Sequence, residues 1–158
     1  MKTITRFPHT YTETEDCWIT LSDGCRLAAK LWLPDIAPKK KVPTIIEVIP
    51  YRKRDIYAPR DAMHHRYFAG HGYACMRVDI RGSGDSDGHQ GVFAMQQEQD
   101  DTLEVLRWIA TQPWSDGQVG MFGISWGGFQ AIQTAYRAPP ELKAIVPCSF
   151  APDRYRYS

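Results

Sequence analysis

The sequence predicts a mostly parallel α/β sheet preceded by an antiparallel hairpin. Three observations carry this. Apolar, β-branched runs alternate with helical patterns from residue 44 to 147, and the connections between those runs are long enough for crossovers. An Asp-Gly pair separates the two apolar runs that come before residue 35. With 158 residues, 43% of them hydrophobic and 23% charged, the chain suffices for one packed domain, which argues against a disordered tail or a disulfide miniprotein. Nineteen Lys and Arg against 18 Asp and Glu leave a net charge of +1, so no electrostatic surplus points to nucleic acid or to a membrane as partner.

The elements follow in order. Residues 1–15 are polar, Thr-rich and carry Pro8, and are expected as a surface lead-in; residues 16–158 form the packed part. Cys17–Leu21 and Arg26–Leu33 flank Ser22-Asp23-Gly24, whose glycine supplies the positive φ of a tight hairpin. Such a turn sets Cys17 opposite residue 29 or 30 rather than Cys25. The four cysteines, Cys17, Cys25, Cys75 and Cys148, show no CxxC spacing and read as small apolar residues rather than metal or redox ligands. After the Lys39-Lys40-Lys41 connector, Thr44–Ile49 reads as a buried strand closed by Pro50. A short helix is expected over Ala62–Ala69, a strand over Tyr73–Asp79 and a long loop over Arg81–Gly88. Leu103, Leu106, Ile109 and Ala110 give the stripe of an amphipathic helix over Gln97–Thr111. A strand at Gln118–Phe122, a small-residue helix at Gly127–Arg137 and a strand at Lys143–Pro147 complete the pattern. No stretch approaches the ~20 apolar residues of a membrane span, and Met1–Thr10 lacks the apolar run of a signal peptide, so a cytoplasmic setting is the expectation.

The strongest chemical signal is Gly123-Ile124-Ser125-Trp126-Gly127, a G-x-S-x-G pattern between an expected strand and an expected helix. From this composition the bare pattern should arise by chance only about 0.04 times in such a chain, before the flanks are required. The alternative is a glycine-rich structural turn. In a nucleophile elbow the serine sits in strained φ/ψ on a sharp turn, and small neighbours let the flanking backbones pass. The serine then stands at a helix N-terminus, where the N–H of Trp126 can face a developing oxyanion. An acid and then a histidine should follow. They do not: His9, His64, His65, His71 and His89 all precede Ser125, and the only acids after it are Glu141 and Asp153. His89 could substitute, since its loop is expected to leave the same sheet edge, but an exposed histidine in such a loop is more often solvated. His64-His65-Arg66 is weak as a metal site, lacking i, i+4 spacing and a third ligand nearby.

With these motifs in place, the chain resembles the CocE/NonD acyl esterases, relatives of the Xaa-Pro dipeptidyl-peptidases and α-amino-acid ester hydrolases. The likeness covers about residues 14 to 155 and rests on Ser22–Ala29 with Leu31–Pro34, on Pro50–Lys53, on Asp79–Gly84 and on Trp114–Gly128. It implies an α/β-hydrolase fold, with residues 16–158 as the N-terminal part of its catalytic domain, ending before the cap and the triad Asp and His. It also implies Ser125 as nucleophile and Tyr51, through its phenol, as a second oxyanion donor beside the Trp126 amide. Aromatic packing at a strand edge is the other reading of Tyr51. Trp126 stands where many relatives carry Tyr, which keeps the backbone role and is expected to reshape the acyl pocket. Asp79 and Arg81 are assigned to loop architecture.

The expected function is therefore hydrolysis of an ester or amide through a Ser125 acyl-enzyme, with a small-molecule ester, amide or short peptide as substrate. The alternative is a catalytically incomplete fragment or pseudoenzyme that acts only by self-association or with a complementary chain. No cofactor is expected: Gly82-Ser83-Gly84 lacks the third glycine of a dinucleotide fingerprint, and there is no phosphate loop and no metal or flavin motif.

Overall fold

A computed structural model of the chain describes residues 6–91 and 95–150. Its strands are β1 (Tyr11–Thr20), β2 (Arg26–Pro34), β3 (Val42–Ile49), β4 (Ala74–Asp79), β5 (Ser115–Ile124) and β6 (Leu142–Cys148), and its helices are α1 (Ala58–Ala69), α2 (Met95–Thr111) and α3 (Trp126–Tyr136). They form a six-stranded sheet of order β1-β2-β4-β3-β5-β6. β1, β2 and β4 pair antiparallel in turn, and β4, β3, β5 and β6 run parallel.

The hairpin turns on Gly24 at φ +85°, with Leu21 N–H donating to the Cys25 carbonyl at 2.8 Å. Cys17 faces Ala29, one of the two positions expected from the turn, and all four cysteines are free thiols. β1 begins earlier than expected. Tyr11 to Thr14 pair with Pro34 to Leu31, so the second part of the stretch read as a lead-in is strand, and a register shift lies between Thr14 and Cys17. Polar side chains hid it, because β1 lies at the edge of the sheet and most of those side chains face solvent. Helix α1 likewise starts four residues before the expected Ala62, with Pro59 in its first turn, where a missing N–H is harmless.

The strands alternate between two different interiors. Ile46, Val48, Met76, Val78, Val119 and Met121 meet Val105, Leu106 and Ile109 of α2 and Ala131 of α3 in one apolar core. The opposite face, under α1, is mixed. Ile45 and Cys75 join Trp32 there, while Glu47 and Arg77 on the same face, with Asp61 and His65 of α1, are fully or almost fully buried. Toward β6 no helix covers that face among the described residues, and a groove of about 360 Å³ runs between Ile45, Phe68, Phe122 and Val146. Among the described residues no helix is long and apolar enough to cross a membrane.

Candidate active site

The parallel strands end together, and the candidate residues stand at those ends. Ile46 pairs with Met121, which carries Ile49 level with Ile124 on the neighbouring strand, ~4.8 Å away. Tyr51 follows β3 by two residues and Ser125 follows β5 by one.

Ser125 has φ +56° and ψ −112°, a conformation L residues adopt only when their surroundings impose it. The surroundings are glycines. A Cβ on Gly123 would lie 2.5 Å from the carbonyl carbon of Gly127, one on Gly127 would lie 2.9 Å from Ile49 Cγ2, and one on Gly128 would lie 2.7 Å from the Cys148 carbonyl oxygen. Ser125 N–H donates to that same Cys148 carbonyl at 2.9 Å, and the Ser125 carbonyl accepts from Phe129 N–H at 3.0 Å, starting α3. Held this way the side chain is exposed at the sheet edge. Trp126 is anchored through its indole, which donates to Glu98 Oε2 at 3.0 Å. Gln130 fastens the same two helices, donating to the Glu98 carbonyl and to Thr102 Oγ1.

Tyr51 is half-buried, its ring stacked on Tyr57 with centroids 4.9 Å apart, and Tyr57 in turn lies under the Arg60 guanidinium. The ring thus packs at the strand edge. Among the described residues no hydrogen bond occupies its phenol oxygen.

Asp79 and Arg81 tie loops together. Asp79 accepts from the N–H groups of Lys53 at 2.7 Å and Asp85 at 3.3 Å, and burial pushes its carboxyl pKa up. Arg81 grips Asp101 of α2 with two bonds of 2.8 and 2.9 Å and Asp23 of the hairpin at 2.8 Å.

No described histidine is hydrogen-bonded to Ser125. His89 is exposed, with its backbone folded against Gly82. Glu141 precedes β6, at the opposite end of the sheet from Ser125, and Asp153 lies outside the described residues. His65 has more carboxylate company than its sequence neighbours suggest. One ring nitrogen lies within 4.8 Å of ligand atoms of Glu47 and Asp61, the latter at i−4 on the same helix. Two arginines already use that space. Asp61 Oδ1 takes Arg60 and Oδ2 takes Arg77, while Glu47 Oε2 takes Arg60. Two carboxylates against two guanidiniums balance, so a divalent cation would add uncompensated charge to a buried site. Reading the sequence missed this cluster; its trace there was a charged residue in each of two otherwise apolar strands.

The His65 ring stacks on Trp32 with centroids 4.6 Å apart, and its nitrogens have no hydrogen-bond partner among the described residues. Burial, reinforced by Arg77 and Arg60, brings its pKa down to about 3. The ring is therefore neutral in the fold, whereas an unfolded chain takes up a proton below about 6.5. Stability from this group is complete above that value and declines as pH falls toward 3, by up to about 1.4 kcal/mol per unit. In denaturation experiments His65→Phe, which keeps an aromatic ring over Trp32, should lose about 2.5 kcal/mol less stability than wild type between pH 7 and 4.5. Identical pH dependence in the two proteins would mean that the ring takes up its proton as readily in the fold as in the unfolded chain.

The family model of X-Pro dipeptidyl-peptidase (S15 family) matches residues 23–158. The cocaine esterase of Rhodococcus sp. (strain MB1 Bresler) is 34% identical over 147 residues, which are 92% of this chain and 25% of that protein. The chain thus spans about a quarter of the length of such relatives. Among solved structures, a CocE/NonD family hydrolase from Staphylococcus aureus superimposes with a TM-score of 0.71 at 23% identity, over 87% of this chain and 27% of that one. An α-amino acid ester hydrolase gives a TM-score of 0.67 at 22% identity, over 93% of this chain and 26% of that one. These neighbours share the α/β-hydrolase fold. By the match over residues 23–158, the chain belongs to the X-Pro dipeptidyl-peptidase (S15) family.

Proposed function

We propose that this chain carries the nucleophile and the oxyanion site of a serine hydrolase that cleaves an ester or amide through an acyl-enzyme. The observation that carries the reading is the backbone of Ser125, bent into a strained turn that glycines on both sides make room for and aimed out at the sheet edge. Membership of the S15 family and likeness to an esterase support it.

Ser125 Oγ attacks the carbonyl carbon and loses its proton to a general base; the carbonyl oxygen becomes the oxyanion. The Tyr51 phenol and the Trp126 N–H donate to that oxygen. Collapse expels the alcohol or amine with a proton, and water then releases the acid. The base and the acid that orients it come from outside the described residues. The substrate is a small ester, an amide or a short peptide.

Labelling of the native gene product with a fluorophosphonate, followed by mass-spectrometric mapping, tests the nucleophile. An adduct on Ser125 supports it. An adduct elsewhere, or ester hydrolysis that leaves Ser125 unmodified and unprotected, overturns it. For the oxyanion donor, Tyr51→Phe should lower kcat about 100-fold with little change in KM, since one donor at a developing oxyanion is worth that much. An unaltered kcat would leave Tyr51 as a packing residue only.

A further inference from the structure

The loop that carries Tyr51 is held from behind at three residues. Ser83 Oγ donates to the Pro50 carbonyl at 2.6 Å, Arg77 Nη2 donates to the Tyr51 carbonyl at 3.1 Å, and the Lys53 N–H donates to Asp79 Oδ1 at 2.7 Å. The loop needs such ties. Directly after Tyr51 the backbone turns through Arg52 at φ +20°, a value unfavourable for an L residue.

Arg77 grips the chain on both sides of Pro50. Its side chain is completely buried, and all three guanidinium nitrogens are used. Nη1 donates to the carbonyls of Ile49 at 3.4 Å and Val78 at 3.1 Å, Nη2 to that of Tyr51, and Nε to Asp61 Oδ2 at 2.8 Å. The carbonyls of Ile49 and Tyr51 lie on either side of Pro50. Gripping both sets the direction in which the chain, and with it the Tyr51 ring, leaves β3. Asp61 fixes the guanidinium itself, and Glu47 at 3.9 Å shares its charge. A planar fork with five donors can serve all of these acceptors together; the compact ammonium of a lysine cannot.

We propose that Arg77 is a positioning residue for the Tyr51 phenol, acting through the two carbonyls that flank Pro50. The proposal rests on the reading of Tyr51 as an oxyanion donor. If the Tyr51 phenol must lie within hydrogen-bond reach of an oxygen that becomes charged only in the transition state, a small rotation at Pro50 costs turnover and leaves substrate binding alone.

The test measures kcat and KM for short p-nitrophenyl esters with the native gene product, its Arg77→Lys variant, and both again with Tyr51→Phe. Arg77→Lys should lower kcat at least about tenfold and change KM less than about twofold. In the Tyr51→Phe background the same substitution should change kcat less than about twofold, because two residues that act through one group are not additive. Equal losses in both backgrounds, or no loss in the folded Arg77→Lys protein, would overturn the proposal. Failure of the underlying reading looks different, for then Tyr51→Phe alone leaves kcat unchanged. Should far-UV circular dichroism show Arg77→Lys unfolded, the isosteric Asp61→Asn, which loosens the guanidinium without removing it, takes its place. It must show a smaller kcat loss that again vanishes with Tyr51→Phe, and an additive loss there overturns the proposal too.

Discussion

Ser125→Gly, at the proposed nucleophile, is expected to end acyl transfer and at the same time to stabilise the fold. The loss should reach about 10⁴-fold or more in kcat, the scale on which removal of a serine nucleophile acts, because nothing else at the turn can form the acyl bond. The gain comes from the backbone. At φ +56° and ψ −112°, Ser125 carries strain of about 1–3 kcal/mol that glycine does not feel, against an extra entropy cost of about 0.5–1 kcal/mol for fixing glycine. A net increase of about 1 kcal/mol should appear in urea denaturation. Ser125→Ala supplies the control, since it loses the hydroxyl and keeps the strain, and should be inactive without becoming more stable. If Ser125→Gly is less stable than Ser125→Ala, the turn is not strained and the case for a nucleophile at this position loses its physical ground.

The second large effect is expected at Gly123→Ala. The added methyl would meet Gly127 backbone at 2.5, 2.6 and 2.8 Å, from its carbonyl carbon, Cα and oxygen. No flexible side chain is there to give way. The strand and helix that meet at Ser125 would have to part, at a cost of about 3 kcal/mol, and a displacement near 1 Å at this proposed nucleophile should take at least about 100-fold from kcat. Gly120→Ala makes the comparison within the same strand. Its methyl would find nothing nearer than the Ala144 carbonyl oxygen at 3.9 Å, so stability and rate should both stay close to wild type. Equal behaviour of the two variants, read by thermal denaturation and ester hydrolysis, would refute the clearance role of Gly123.

Both effects concern residues that local sequence singles out. A serine between glycines, after an apolar run and before small residues, advertises a sharp strand-to-helix turn because few other residues tolerate one. The same local logic placed the Asp23-Gly24 hairpin and set Cys17 opposite residue 29 or 30, the first of which it faces. Where the logic failed, packing had overruled composition. Tyr11–Thr14 look like a solvated tail, yet they pair with β2 because an edge strand needs only backbone partners.

The polar interior under α1 lay beyond sequence reading for a different reason. Glu47, Asp61, His65 and Arg77 come from β3, α1 and β4, and each alone reads as an ordinary charged or titratable residue. The parallel pairing that sets Glu47 beside Arg77, and the helix that lowers Asp61 onto them, turn four scattered residues into one buried network. Burial then drives the Glu47 and His65 pKa values in opposite chemical directions, each toward its neutral form.

Sequence by itself thus determined the alternation of strand and helix, the family, and the strained turn at Ser125, because each depends on residues close together in the chain. Tertiary structure alone decided which side chains hold the Tyr51 loop. Hydrogen bonds between that loop and Arg77, Asp79 and Ser83 span 26 to 33 residues, and only a folded sheet brings their donors and acceptors within 3.1 Å of one another.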